Sequence, residues 1–241
     1  MREIVDEKEQ HFHYNSSERR APRRRGEGLT EYFDILDCRG EKTGEVILRD
    51  EAHRKGVWHG AFHCLIIYER DGKGYALFQK RSANKKIAPE KYDVSVGGHY
   101  AAGEDGSIAG PREINEELGI EAAYAELQPL GRRVFVYCFT PGVTEYEFQD
   151  IFLLSRDTRP GALTVQREEV DGVLEIGINE GIGLFSGKHR DAAGRYYPHS
   201  RPPERVRVHA DDFVPNLDNY YLKLLLLARR YMSGEREQLV I

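Results

Sequence analysis

The 241 residues are 40% hydrophobic and 31% charged, which is the balance of an ordinary globular protein with one large domain or one domain with appendages. The net charge of −5 gives no general attraction to nucleic acid or to an anionic membrane surface, so we expect neither as a partner. The three cysteines, Cys38, Cys64 and Cys138, are widely spaced, match no metal-site pattern and indicate reduced thiols in the cytoplasm.

Residues 1–28 are polar and are predicted to form an arm outside the folded domain. Arginines crowd together between residues 19 and 25, a pattern that can contact nucleic acid. The same 28 residues hold seven basic and six acidic side chains, so the net charge of the arm is only +1. We therefore favour a solvated arm, or one that packs against a partner subunit.

The alternation of apolar and polar residues predicts two β-hairpins in the first third of the chain. The first spans residues 32–48 and turns at residues 39–42, and the second spans residues 62–80 and turns at residues 71–74. Residues 92–96 are predicted to form a further strand, which leads directly into a pair of glycines.

The stretch after these glycines places several carboxylates on one short helix. Glu113, Glu116 and Glu117 stand at i, i+3 and i+4, so their side chains share one helical face. Their repulsion, about 1 kcal/mol per pair in water at 4 Å and roughly 4 near a protein surface, favours a hard divalent cation among them. Oxygen ligands without a nearby cysteine predict magnesium or manganese rather than zinc. A solvated acidic helix face is the alternative interpretation.

The residues around the carboxylates have physical roles of their own. Gly98 lets the backbone turn tightly and approach a metal or a phosphate closely. Arg112 lies one turn before Glu116 and can orient its carboxylate by a charge-assisted hydrogen bond. Gly119 stands where a left-handed C-cap is expected.

Pro111 stands inside the segment that should be helical. A proline deep in a helix costs about 3 kcal/mol, whereas one at the first helical position is well tolerated. The sequence therefore predicts that the regular helix begins near Gly110 or Pro111, or is kinked there.

The remaining third of the chain mixes strands with a second helix. Residues 134–139 and 146–154 are predicted to be strands, and residues 170–186 a short strand followed by a weak helix. Residues 188–203 lack apolar periodicity and predict a loop. Residues 217–232 predict a helix that either docks in the core or forms part of a homodimer interface; its apolar run is too short to cross a membrane.

Residues 98–120 resemble the Nudix box, written as Gly, five residues, Glu, seven residues, then Arg-Glu-apolar-x-Glu-Glu-x-Gly-apolar. Every position is matched, by Gly98, Glu104, Arg112, Glu113, Ile114, Glu116, Glu117, Gly119 and Ile120. The resemblance implies an α/β fold, the Nudix-type α/β/α sandwich with a mixed β-sheet and a loop–helix–loop catalytic motif. It assigns residues 29–186 to the Nudix domain, and residues 187–241 to a loop and helix packed on that domain or on a dimer partner.

By this resemblance, the box would bind Mg²⁺, or Mn²⁺, and hydrolyse a diphosphate linked to an organic moiety. Glu113, Glu116 and Glu117 would be the metal ligands, and the Gly98 carbonyl and Glu104 would complete the coordination. Glu116 and Glu117 would thereby be catalytic.

The box does not fix the general base. Glu117 would serve if it does not bind the metal directly. Glu168 and Glu169 are the other candidates, because family members often supply a carboxylate from a later loop, and of these we select Glu169. A solvent-facing charge is the alternative for either residue.

Three further residues are candidates for substrate binding. Arg81 could clamp the diphosphate, or form a surface ion pair. Trp58 could stack on a base, or lie in the core. His99 could contact phosphate, or be an ordinary hydrogen-bonded histidine, and no histidine has the spacing of a zinc site.

Residues 53–59, 79–82 and 92–95 look like a Nudix branch close to the isopentenyl-diphosphate isomerases, a branch that also contains hydrolases. An isomerase places a catalytic cysteine immediately before the Gly-His pair, where this chain has Gly97. It also needs a glutamate on a later strand, where our alignment places Gln149. Because glycine cannot protonate an alkene, the sequence favours a hydrolase.

We therefore expect a Mg²⁺-dependent hydrolase that cleaves a diphosphate linkage in a nucleoside diphosphate derivative or another organic diphosphate. A small-molecule diphosphate is the expected partner. The alternatives are a nucleotide-sensing Nudix-fold module without catalysis and an isopentenyl-diphosphate isomerase. The sequence does not identify the substrate.

Overall fold

The structure, a computed structural model, describes residues 31–141 and 143–241, so the prediction for the arm at residues 1–28 lies outside the described residues. In chain order the strands and helices are β1 (Tyr32–Leu36), β2 (Lys42–Leu48), α1 (Arg49–Lys55), β3 (His59–Arg70), β4 (Lys73–Arg81), β5 (Tyr92–Val94), β6 (Val96–His99), α2 (Gly106–Leu118), β7 (Leu127–Thr140), β8 (Val143–Ser155), β9 (Val170–Gly177), α3 (Ile178–Phe185), β10 (Ala192–Pro198), β11 (Glu204–Val208) and α4 (Tyr220–Met232).

Most of the described strands form one mixed sheet. Its order is β11-β10-β9-β4-β3-β8-β7, with β5 paired to β4 and β6 paired to β3. Strands β3 and β8 run parallel, whereas β3–β4, β3–β6 and β7–β8 are antiparallel. Strands β1 and β2 form a separate hairpin.

Helices cover both faces of the sheet. On one face α2 buries Ile114 and Leu118 against Phe62 of β3 and its neighbours. On the other face α4 packs into a second core, where Leu224 and Leu225 are fully buried. These layers are the expected α/β/α sandwich with a mixed sheet.

The prediction that α2 begins near Gly110 or Pro111 is wrong, and the alternative of a kink at this position stays a prediction. The helix begins at Gly106, and the side chain of its N-cap residue Asp105 accepts a hydrogen bond from the Ser107 amide at 2.9 Å. Proline at position 111 removes the donor to the Ser107 carbonyl, but Ser107 lies on the exposed first turn, where water can replace the bond. The C-terminus agrees with the sequence, since Gly119 has a φ of 68°.

The loop predicted at residues 188–203 is also wrong in part, because residues 192–198 form strand β10. Within β10, Ala192 and Tyr196 face the core and the residues between them are largely exposed. A strand with so few apolar side chains is defined by its pairing with β9 and β11, which the sequence does not reveal. The domain boundaries themselves stay a prediction.

Within the described part of the chain, no helix has the length and apolar character needed to cross a bilayer.

Candidate active site

The carboxylate face of α2 lies directly against the glycine pair of β6. A Cβ atom built on Gly98 would lie 2.3 Å from the carboxyl carbon of Glu113 and within 2.6 Å of both its oxygens. Such a contact is far below van der Waals distance, so only glycine leaves room for the carboxylate. The box thus brings the Gly98 backbone and the first glutamate of α2 together, as a shared metal site requires.

Arg112 gathers the other acidic side chains of the box. Its Nη1 donates to Glu113 Oε1 at 2.7 Å and to Glu116 Oε2 at 3.0 Å. Its Nη2 donates to Glu104 Oε2 at 2.8 Å and to the His99 carbonyl at 3.4 Å. One guanidinium therefore holds three carboxylates in place, which is the geometry that an orienting role needs.

Glu117 lies deeper than the other carboxylates and is 4% exposed. Its Oε2 accepts hydrogen bonds from Gln79 Nε2 at 3.0 Å and from the Gly97 amide at 3.1 Å. Burial, together with the nearby Glu113 carboxylate, raises the pKa of Glu117 to about 8, and burial also raises the pKa of Glu113. Two buried acids that resist ionisation side by side fit a divalent cation, whose charge would replace the proton.

We call Glu104, Glu113, Glu116 and Glu117 the carboxylate centre. Glu169 lies at its edge, close enough to Glu117 to influence the pKa of Glu117. Burial acts to raise the pKa of Glu169, but its ion pair with Lys85 outweighs burial and lowers it overall. Sequence analysis did not select Lys85 as a site residue. The one feature that could have indicated it is its position shortly after residues 79–82, which resemble a Nudix branch.

The structure gives Arg81 and Trp58 other contacts than those sought in the sequence. Arg81 donates from Nη2 to the Ile87 carbonyl at 2.8 Å and holds the loop that follows β4. Trp58 packs against the rings of Tyr146, at 5.0 Å between centroids, and Phe148, at 4.8 Å. A direct role of either residue in substrate binding stays a prediction.

A second cluster, which the sequence missed, lies next to the box. His53, His59, His99 and Glu145 offer ligand atoms that all lie within 4.8 Å of one another. They come from α1, β3, β6 and β8, so their sequence spacing resembles no zinc motif. We call these four residues, together with Glu147, the His/Glu cluster; His99 Nε2 lies 2.9 Å from Glu147 Oε1.

His59 shows most clearly that this cluster suits a metal. The residue is fully buried, and its Nδ1 contacts the Val57 carbonyl at 2.8 Å. A carbonyl can only accept, so Nδ1 carries a proton, and in the neutral ring Nε2 presents a lone pair. That Nε2 has no hydrogen-bond partner and lies 3.8 Å from Glu145 Oε2 and 3.7 Å from Glu147 Oε1.

The protonation of the cluster agrees with this interpretation. His53 Nε2 and Glu145 Oε2 are also buried without partners. Burial and the neighbouring histidines lower the pKa of His53 to about 3, so its imidazole is neutral. Burial and the adjacent Glu147 raise the pKa of Glu145 to about 9. Burial also acts to raise the pKa of Glu147, but the neighbouring His99, whose Nε2 lies 2.9 Å away, helps to lower it well below its usual value. Neutral imidazoles and carboxylates are ligands for zinc, manganese or iron.

Gln149, the residue aligned with the glutamate of the isomerases, has a glutamate next to it on the same face of β8. Glu147, two residues earlier, lies beside His99, and Gln149 Nε2 donates to Glu147 Oε2 at 2.5 Å. Arg133 in turn donates to Gln149 Oε1 at 2.8 Å and is held by Asp218. Gly97, which stands where an isomerase carries its cysteine, is the residue that most directly disfavours an isomerase.

The carboxylate centre and the His/Glu cluster are joined through one short segment of backbone. Gly98 contacts Glu113. The next residue, His99, belongs to the His/Glu cluster through its side chain, and its carbonyl accepts a hydrogen bond from Arg112. The structure thus brings the predicted ligands, the orienting arginine and His99 into one region, with Glu169 at its edge.

Comparison with known proteins gives the same assignment. The family model for the NUDIX domain matches residues 57–180. An uncharacterized Nudix hydrolase from Clostridium acetobutylicum is 34% identical over 203 residues, which are 82% of this chain and 96% of that protein. An isopentenyl-diphosphate Delta-isomerase from Aliivibrio fischeri is 32% identical over 147 residues, 60% of this chain and 79% of that protein.

Among solved structures, a MutT/nudix family protein from Enterococcus faecalis superimposes with a TM-score of 0.50 over 75% of this chain and 65% of that chain. Its sequence identity is 13%, so the likeness concerns the fold alone. The complete box, the sandwich around it and the matched relatives lead to one conclusion: the chain belongs to the Nudix hydrolase family.

Proposed function

We propose that the protein is a Mg²⁺-dependent hydrolase that cleaves a diphosphate linkage in a nucleoside diphosphate derivative or another organic diphosphate. The observation that carries this proposal is the contact between Gly98 and the Glu113 carboxylate, beside the buried Glu117. This arrangement leaves no space for a side chain at Gly98 and brings its backbone close to the carboxylates that would hold a cation. Mn²⁺ has the same preference for oxygen ligands and is the expected substitute.

Each residue of the centre has a defined task in this reaction. Glu113, Glu116 and Glu117 would hold the metal, with the Gly98 carbonyl and Glu104 completing the coordination. Arg112 keeps these carboxylates oriented through its hydrogen bonds. When bound, Mg²⁺ polarises a phosphoryl oxygen and lowers the pKa of an attacking water.

Two residues at the edge of the carboxylate centre, Lys85 and Glu169, would supply a positive charge and a general base. Lys85 brings a positive charge to the side where the diphosphate must enter, and its ion pair holds Glu169 ionised at neutral pH. An ionised carboxylate can accept the proton of the attacking water. Glu169 is therefore the general base in this proposal, and Glu117 is a ligand.

The His/Glu cluster would hold a second ion of borderline character, such as Mn²⁺ or Zn²⁺, on the other side of the Gly98–His99 backbone. The unpartnered lone pair of His59 supports this assignment. With both ions in place, the substrate diphosphate would lie between two positive centres. A cytoplasmic location and a homodimer stay predictions.

Two other functions are kept as alternatives. A nucleotide-sensing module without catalysis would have no need of an intact carboxylate centre. An isomerase would need a thiol before the Gly-His pair, but Gly97 carries no side chain, and a Cβ there would lie 3.4 Å from His63 Nε2.

A phosphate-release assay with Mg²⁺ over a panel of nucleoside diphosphates, nucleotide sugars and prenyl diphosphates tests the proposal. We expect hydrolysis of at least one compound, and its loss in Glu117→Gln. Tight binding without release in Mg²⁺ or Mn²⁺ would instead indicate the sensing module. Conversion of isopentenyl diphosphate to its isomer would indicate the isomerase.

A further inference from the structure

A row of hydrogen-bonded polar side chains joins the C-terminal segment to the His/Glu cluster. It begins at Asp218, just before α4, and passes through Arg133 of β7 and Gln149 of β8 to Glu147. Arg133, Gln149 and Glu147 are 7%, 2% and 5% exposed, so little water reaches these hydrogen bonds. We call these four residues the polar network.

The chemistry of the groups fixes the direction of each hydrogen bond in the polar network. A guanidinium can only donate, so the atom of Gln149 that meets Arg133 Nη1 at 2.8 Å is the amide oxygen. The amide nitrogen therefore points the other way and donates to Glu147 Oε2 at 2.5 Å. Arg133 thus decides which way the Gln149 amide faces.

Arg133 is itself held in both position and orientation. Its Nε and Nη2 donate to the two carboxylate oxygens of Asp218, at 3.0 and 2.7 Å. Its guanidinium also lies 4.0 Å from the ring centroid of Tyr220 and 4.6 Å from that of Phe135. A two-pronged ion pair combined with two ring contacts leaves a planar group little freedom to rotate.

The two oxygens of Glu147 have different neighbours. Oε2 accepts the hydrogen bond from Gln149, whereas Oε1 lies 2.9 Å from His99 Nε2 and 3.7 Å from His59 Nε2. In Glu145, by contrast, the buried Oε2 has no hydrogen-bond partner among the described residues. By holding Oε2 of Glu147, the polar network turns Oε1 towards the histidines.

The outer end of the polar network lies outside the residues that match the NUDIX family model. That match covers residues 57–180, whereas Asp218 precedes α4 and Tyr220 is its first residue. The ion pair between Arg133 and Asp218 would be enough to fasten α4 to the sheet. The further link through the Gln149 amide to Glu147 connects this attachment to the His/Glu cluster.

We propose that Gln149 and Arg133 are positioning residues, which fix the Glu147 carboxylate so that its Oε1 can bind a metal ion at the His/Glu cluster, with Asp218 of the C-terminal segment as their anchor. This inference rests on the proposed function, because it takes an ion to bind at that cluster. It goes further in assigning part of the affinity for the ion to residues that do not touch it. Loss of a hydrogen bond to a ligating side chain typically lowers metal affinity by about 10- to 100-fold.

Titration with Co²⁺, followed by its visible absorption, tests this assignment without any cleavage step. Co²⁺ accepts imidazole and carboxylate ligands, and its spectrum changes with their geometry. Excess Mg²⁺ occupies the carboxylate centre, and Glu145→Gln identifies the signal that belongs to the His/Glu cluster. We expect Gln149→Met, which fills similar space without a donor, to weaken Co²⁺ binding by at least about tenfold and to alter the spectrum.

A double-mutant cycle distinguishes positioning from a general contribution to stability. Arg133→Met should weaken Co²⁺ binding by about three- to tenfold, because the Gln149 amide loses the donor that orients it. Adding Arg133→Met to Gln149→Met should weaken binding by no more than about twofold further, since Arg133 acts through this amide. Urea unfolding in a chelator establishes that each variant folds, and Arg133→Met carries the test if Gln149→Met does not fold.

The matched control lies on the opposite face of the same two strands, where Arg132 forms an ion pair with Asp150. Arg132→Met removes a neighbouring ion pair and should leave Co²⁺ affinity within about twofold of wild type. Equal losses in Arg132→Met and Arg133→Met would overturn the proposal, as would a Gln149→Met protein with the affinity and spectrum of the wild type. Additive losses in the double variant would also overturn it, and so would a wild-type protein that takes up no Co²⁺ at the cluster.

The outcome also separates this inference from the proposed hydrolase. Phosphate release by the wild type, together with unchanged Co²⁺ binding in Gln149→Met, would contradict the positioning role and leave the hydrolase standing. Weakened Co²⁺ binding in Gln149→Met, with no phosphate release from any diphosphate by the wild type, would contradict the hydrolase and leave the positioning role standing.

Discussion

The backbone of Gly98 lies so close to the carboxylate of Glu113 that a methyl group added to the glycine Cα would come within 2.3 Å of the carboxyl carbon. The preceding residue, Gly97, faces the other way, where a methyl group would meet His63 Nε2 at 3.4 Å, an ordinary contact. Two adjacent glycines thus differ sharply in what a Cβ atom would meet.

Gly98→Ala is therefore expected to displace Glu113 and to lower both Mg²⁺ affinity and turnover by about 100-fold or more, because the carboxylate and the backbone carbonyl can no longer share one ion. Gly97→Ala is the matched control and should keep turnover within about fivefold. Calorimetric Mg²⁺ titration and a phosphate-release assay measure both variants. Equal losses in the two variants would show that the Glu113 contact is not the cause.

Arg112→Met should destabilise the metal-free protein by about 3 to 5 kcal/mol, because three carboxylates then lose their shared cation in a largely buried place. Urea unfolding in the presence of a chelator measures this loss. Arg112→Lys should retain part of the stability, since it keeps the charge without the planar fork. Saturating Mg²⁺ should restore much of the loss in Arg112→Met, and an equal loss with and without Mg²⁺ would argue against a metal at this centre.

Glu117 should make the metal-free protein less stable as the pH rises. Its pKa of about 8 in the folded state lies above the usual 4.5, so the folded protein keeps a proton that the unfolded chain has released. This contribution is complete below about pH 4.5 and is lost as the pH rises through 8, by at most about 1.4 kcal/mol per pH unit.

Glu117→Gln should remove this dependence of the unfolding free energy on pH. Wild type and variant are unfolded in a chelator from pH 5 to 9, and the difference between their unfolding free energies removes the contribution of the other titrating groups. Addition of Mg²⁺ should stabilise the wild type above pH 8 and leave the variant nearly unchanged. Parallel pH profiles for the two proteins in the chelator would show that Glu117 is ionised in the folded state.

Glu145→Gln should abolish binding of Mn²⁺ or Zn²⁺ at the His/Glu cluster while leaving the stability of the metal-free protein near that of wild type. The raised pKa of Glu145, about 9, means that the metal-free protein already holds this acid neutral, and glutamine has the same shape. Equilibrium dialysis with metal analysis and thermal unfolding measure the two effects. Unchanged metal content in the variant would exclude Glu145 as a ligand.

Glu175→Gln serves as the comparison for this variant. Glu175 is equally buried but forms a two-pronged ion pair with Arg70 and does not belong to the His/Glu cluster. Its substitution should lower stability and leave metal content unchanged, which is the opposite outcome.

The carboxylate centre could be predicted from the sequence because its parts lie within one short stretch of chain. The spacing of Glu113, Glu116 and Glu117 follows from the period of the helix, and Arg112 is one turn from Glu116. Local geometry of this kind needs no knowledge of the fold. The late start predicted for α2 failed because Asp105 caps the helix one turn before the proline.

The His/Glu cluster and the aromatic row of Phe135, Tyr137 and Phe139 on β7 could not be predicted in this way. His53, His59, His99 and Glu145 come from four elements that are separated by up to 92 residues and meet only because β3 pairs with both β6 and β8. A shift of one residue in the pairing of β8 would turn Glu145 to the other face of the sheet. The sequence alignment selected Gln149, whereas the glutamate that contacts His99 at 2.9 Å is Glu147, two residues earlier on the same face of β8.

The sequence by itself determined the family, the row of carboxylates on α2 and the arginine that hydrogen-bonds to them, because these depend on the fixed geometry of one helix and one turn. Only the tertiary structure decided which histidines meet, which glutamates of β8 face them and which aromatic rings stand beside them. The reason is that contacts between strands depend on pairing and register, and these are set by burial across the whole sheet rather than by neighbouring residues.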